Sequence, residues 1–137
     1  MIFRGDGQAS VELIVILAIS AVVLMFVLAS SEERLATDQN QLEEAQISAG
    51  LKKVSDAADF VYSQSIGASM EMSLTIPKSV VSLIVSAHCF EYSLMRPSGE
   101  LSESVKCSLA RLNGTIDDSP GTKRIVLINQ GAFVSVS

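Results

Sequence analysis

Few places in this 137-residue chain carry residue types that do chemistry. His88 is the only histidine, and it stands beside Cys89. A thiol–imidazole pair needs both groups on one side of the backbone, whereas neighbours on a strand point to opposite faces. An edge or loop histidine is the better reading. Cys89 and Cys107 are the only cysteines. An even pair in an exported domain suits one disulfide; two buried thiols packing as small apolar residues is the alternative. Two cysteines and one histidine do not complete a structural zinc site without a carboxylate. Asp117-Asp118 lacks the ligand spacing of a calcium loop and reads as a solvated turn. No glycine-rich phosphate loop follows a strand pattern. No catalytic set, cofactor or metal site is therefore expected, and the chain does not read as an enzyme.

Two features remain. Asn113-Gly114-Thr115 is an Asn-x-Thr acceptor sequence for N-glycosylation, placed at an expected exposed turn. Glu12 is the other, because of where it stands. From Leu13 to Ala29 the chain has no charge, no Gly and no Pro. A helix over Gln8–Ser31 would run about 36 Å, enough to cross a bilayer core of about 30 Å. A run apolar on all sides is not the surface helix of a soluble domain. A carboxylate deep in hydrocarbon costs roughly 2.5–3.5 kcal/mol, so Glu12 must lie shallow, protonated or paired.

The elements that follow must position a head. Glu32-Glu33-Arg34 closes the apolar run, and the pattern becomes periodic. Leu35, Leu42 and Ala49 recur every seven residues; Ile47, Leu51, Val54, Ala58 and Val61 follow steps of four and three. That is helical spacing with one apolar stripe, opposite a charged face of Glu43, Glu44, Lys52, Lys53 and Asp56. Gly50 marks a place for a bend. A nearly continuous helix is expected from Gln8 to about Gln64, with Gly67 as a left-handed cap.

Beyond Gly67 the period drops to two. Met70, Met72, Leu74 and Ile76 alternate with Glu71, Ser73 and Thr75, a half-buried strand. Further strands are expected over Val80–Ala87, Cys89–Met95, Val105–Leu112, Ile125–Asn129 and Ala132–Val136, with Asn113-Gly114 as a hairpin signal. The expected fold is α+β: a long N-terminal helix whose stripe from Leu35 to Val61 covers one small antiparallel sheet of five or six strands. Its divisions are a leader 1–7, an apolar helix 8–31, an amphipathic spine 32–66 and a β head 67–137.

The net charge is −5, with 10 Lys+Arg against 15 Asp+Glu. It is unchanged if Met1–Gly7 is removed, since Arg4 and Asp6 leave together. An acidic chain with no basic cluster argues against nucleic-acid binding.

Gly7 followed by Gln8-Ala9-Ser10-Val11-Glu12-Leu13 and an unbroken apolar helix resembles the class III signal peptide of archaeal type IV pilin-like proteins. The segment Asp56-Ala57-Ala58-Asp59-Phe60-Val61-Tyr62-Ser63-Gln64 is similar to one that recurs in small proteins of that kind. The resemblance covers roughly the N-terminal half of the chain. It implies a lollipop-shaped subunit that a prepilin peptidase cuts between Gly7 and Gln8. The new Gln8 amine and Glu12 then guide assembly with other pilin subunits, from the membrane into a cell-surface filament used as an appendage or for adhesion. It also implies glycosylation, which bears on Asn113. Bacterial pseudopilin and tight-adherence proteins share the Gly and Glu positions. Two other readings stay open: secretory cleavage after the small residues Ala29-Ser30, and an uncleaved single-pass anchor carrying a β domain that binds a surface partner.

Overall fold

The computed structural model describes residues 6–137, with side chains from Ser10 onward except those at 33 and 36. It holds one helix, α1 (Asp6–Ser63), and then seven strands: β1 (Ser69–Ile76), β2 (Val80–Val85), β3 (Cys89–Met95), β4 (Leu101–Cys107), β5 (Leu112–Gly114), β6 (Gly121–Asn129) and β7 (Val134–Val136). This is an α+β layout. By packing, the chain divides into two compact units, Met1–Asp38 and Gln39–Ser137. Residues of α1 belong to both.

In the first unit the described residues are helical throughout. The sequence places Gly5-Asp6-Gly7 in a flexible stretch, but α1 already begins at Asp6. Once a helix is nucleated each added residue gains a hydrogen bond, which at this end is made through its carbonyl, the first N–H groups having no partner within the helix. Met1–Gly5, and with them most of the expected leader and Arg4, lie outside the described residues.

In the second unit Ile47, Leu51, Val54, Ala58 and Val61 are all buried, and they share one core with the strands. The four-three spacing thus faces inward as expected. Leu35 and Leu42 do not: they are 62% and 70% exposed, and Ala49 is exposed too. The reason is angular. Leu42 lies five residues before Ile47, about 140° away around the helix. Followed back from Ile47, the buried stripe meets Glu44 and Asn40 instead. Cover for the sheets therefore starts near Ile47. At Gly50 a Cβ would sit 2.7 Å from Leu74 Cδ1, so the missing side chain brings α1 close to β1.

The strands form two sheets, not one. The first has the order β1-β6-β7-β5 and the second β2-β3-β4. In β1 the alternation holds: Leu74 and Ile76 are buried, and Glu71, Ser73 and Thr75 are exposed. On the outer face Glu71 pairs with Arg124 diagonally across the antiparallel ladder, where neighbouring side chains meet. Thr75 and Thr122, directly opposite, share a hydrogen bond of 3.2 Å.

One expected strand and one expected turn are corrected. The run Val105–Leu112 is broken, because β4 stops at Cys107 and β5 starts only at Leu112. Asn113-Gly114 is not a hairpin turn. It lies in β5, which runs parallel to β7. Gly114 has φ +145°, and a Cβ on it would lie 1.8 Å from the Val136 carbonyl oxygen. Glycine is what allows the two strands to meet there.

The end of α1 is tied to β6. Buried Asn129 donates from Nδ2 to the carbonyls of Val61, Tyr62 and Gln64, at 3.2, 3.2 and 3.0 Å. Those are carbonyls a helix C-terminus leaves unsatisfied. Gly67, at φ +88°, sits in the following turn and donates its N–H to the Asn129 carbonyl at 2.8 Å.

Candidate functional site

The first unit presents an apolar surface with no internal partner. From Val11 to Leu28 the large apolar side chains are exposed. By length and composition, α1 is able to cross a membrane, and none of its most apolar 18-residue window is buried. Its hydroxyls do not spoil that surface. Ser20 donates to the Ile16 carbonyl at 2.8 Å, Ser30 to Val27 at 3.0 Å and Ser31 to Val27 at 2.8 Å. A hydroxyl that bonds back into its own helix carries no unmet donor into lipid. Such a helix is compatible with a single-pass anchor or a signal segment.

Glu12 is exposed near the start of this surface. Gly7 and Gln8 fall in the opening turns of α1; their side chains lie outside the described ones. Gln8 and Glu12 are four residues apart, so both positions lie on one helix face.

In the second unit Cys89 and Cys107 are directly opposite on β3 and β4 and joined as a disulfide, with Cα atoms 4.0 Å apart. The described chain has no free cysteine. His88 lies between β2 and β3, and its Nδ1 is 3.2 Å from the Ala110 carbonyl. Asn113 and Thr115 are exposed. Asp117 is engaged by its own loop. Its carboxylate accepts from Lys123 Nζ at 2.7 Å, from the Ser119 N–H at 3.0 Å and from the Ser119 hydroxyl at 2.8 Å. The Lys123 bond first, then the two from Ser119, hold this exposed carboxyl well below the usual carboxylate range. Among the described residues no group of His, Cys, Asp and Glu is placed to hold a metal.

One arrangement has no signal in the sequence. Asp59 Oδ1 accepts three hydrogen bonds from the segment after β4: the Ser108 hydroxyl at 2.5 Å, the Leu109 N–H at 2.8 Å and the Ala110 N–H at 2.9 Å. Ser55, one turn earlier on α1, donates to the Cys107 carbonyl at 2.8 Å. The N–H groups a strand would need are thus given to a helix carboxylate, which is why β4 ends where it does. The Ser108 N–H donates to the His88 carbonyl at 2.7 Å. Between the clamped groups Leu109 stands 89% exposed. Asp59 lies in a segment legible only as part of a helix, and its partners are about 50 residues away.

Compared with models of known families, with curated proteins and with solved structures, the chain matches none.

Proposed function

We propose that this chain is a structural subunit of an archaeal type IV pilus-like surface filament. A prepilin peptidase cuts it between Gly7 and Gln8, and it assembles through its N-terminal apolar helix. The observation that carries the reading is the pairing of a wholly exposed apolar helix with one acid near its start, Glu12, four residues beyond Gln8. An anchor in lipid has no need of that acid. A bundle of such helices does: a new Gln8 amine can meet a neighbour's Glu12. At 4 Å and an effective dielectric of 20, opposite charges attract by about 4 kcal/mol before desolvation. A subunit in the wrong axial register leaves a buried charge unpaired, which is strongly unfavourable. The pair sets register while packing of Leu13–Ala29 holds the bundle. The subunit is first a single-pass membrane protein with an external head and then part of the filament. The exposed Asn113 acceptor carries a glycan in this setting.

Intact-mass analysis of the natural protein from membranes and from a sheared fibre fraction tests this. The expected result is loss of Met1–Gly7 and recovery of the cut chain in fibres. A chain that keeps those residues, or begins at Ser31, and never enters fibres supports the anchored or secreted domain instead. The same spectra show a glycan mass that disappears in Asn113→Gln. Glu12→Leu is expected to lower fibre yield at least tenfold with the membrane content unchanged; undiminished fibres would remove Glu12 from assembly.

A further inference from the structure

The second unit carries an exposed apolar knob and an open groove, separated along α1. The knob is Leu109. An exposed leucine alone is unremarkable; this one is held rigidly. The Cys89–Cys107 disulfide precedes it, Asp59 takes the N–H groups of Leu109 and Ala110, and Ala110 is fully buried. A backbone fixed in place before it binds loses little freedom on binding. Arg111 stands two residues on, exposed.

The groove has a volume of about 670 Å³ and is open to solvent. One wall is α1, with Leu42 and Glu43; the others are the β1–β2 turn at Pro77 and Lys78 and the start of β6 at Pro120. It is lined mainly by apolar surface, and Leu42 is 70% exposed. Neither Glu43 nor Arg111 takes part in an ion pair among the described residues. Asp59, which holds the knob, lies 16 residues after Glu43, about 24 Å along the helix. The knob therefore cannot fill its own groove.

We propose that Leu109 of one copy seats in the Leu42–Pro77–Pro120 groove of the next, with Arg111 against Glu43. This is a head-to-tail contact. It buries an apolar side chain whose backbone is held in advance, and it sets a cation against an anion. A contact between two different patches of the same chain leaves a free patch at each end, so it propagates instead of closing at a dimer. The proposal rests on the filament reading, because there copies are held side by side.

The test uses the full chain in its membranes and in the fibre fraction. Because the native thiols are paired, engineered cysteines are the only reactive ones. A chain carrying both Leu42→Cys and Leu109→Cys, treated with a short bismaleimide, is expected to give a ladder of linked copies. Either cysteine alone gives at least tenfold less. Arg111→Glu is expected to cut the ladder about tenfold, and adding Glu43→Arg to restore it. Fibres without a ladder, or Leu109→Cys linking to itself as well as to Leu42→Cys, overturn the contact and leave the filament standing. A ladder in membranes without fibres keeps the contact and overturns the filament. Neither fibres nor ladder overturns both.

Discussion

Replacing Asp59 with Ala is expected to destabilise the head by about 2–3 kcal/mol, as hydrogen bonds to a charged group are worth roughly 1.5–3 kcal/mol each and the site is only partly buried. Three donors lose their acceptor at once: the Ser108 hydroxyl and the N–H groups of Leu109 and Ala110. The Ala110 N–H keeps a second contact, 3.1 Å from the Ser108 hydroxyl, so the loss is less than three full bonds. For a domain of this size each kcal/mol moves the midpoint by about 4–8 °C, so thermal unfolding should fall by about 10 °C or more. Near-ultraviolet circular dichroism of the detergent-solubilised chain reads this through the head tyrosines. Amide exchange gives the local view. Exchange at Leu109 and Ala110 should rise on the order of a hundredfold, since 1.4 kcal/mol is a factor of ten in a local opening equilibrium. Asp59→Asn keeps an acceptor in place and should lose only about 1 kcal/mol. If both variants melt with the parent and protect Leu109 equally, Asp59 does not hold this segment.

Gly114→Ala is the second large effect, about 3 kcal/mol or more, because it combines a backbone held in a region L-residues rarely adopt with a steric conflict. A Cβ 1.8 Å from the Val136 carbonyl oxygen cannot be accommodated by a side-chain movement, since the obstacle is backbone. The β5–β7 ladder must separate, and with it the shelter of buried Leu112, Val134 and Val136. Denaturant unfolding should show a lower midpoint, and proteolysis should cut between β5 and β6. The comparison with Asn113→Gln is informative. Gly114→Ala keeps the Asn-x-Thr acceptor and damages the fold, whereas Asn113→Gln removes the acceptor at an exposed position and should leave the midpoint unchanged. A Gly114→Ala chain as stable as the parent would mean that β5 does not pair with β7 as described.

The long helix and the first strand are legible in the sequence because each is a local pattern. The spacing from Ile47 to Val61 and the alternation from Met70 to Ile76 declare their buried faces without knowing what they face. Leu35 and Leu42 mislead for a related reason: a seven-residue recurrence looks like a continuation of the stripe until its phase is followed around the helix. Asn113-Gly114 misleads because the dipeptide reports only that the backbone can reach unusual angles. A hairpin and a tight parallel contact both use that freedom. The end of β4, the clamp at Asp59 and the cap at Asn129 depend on partners far along the chain, and no local spacing encodes them. At the N-terminal site, the apolar run and Glu12 are visible at once, while the groove and the fixed Leu109 emerge only when the head is folded.

The tie between Asn129 and the last carbonyls of α1 bears on when the head can form during synthesis. A ribosome delivers the helix and β1 well before β6, yet β1 pairs with β6, and the cap on α1 comes from that same later strand. Until then the stripe from Ile47 to Val61 has no lasting cover; on the proposed reading of an external head, an extended polypeptide can thread through a narrow translocation channel without having to be unravelled first.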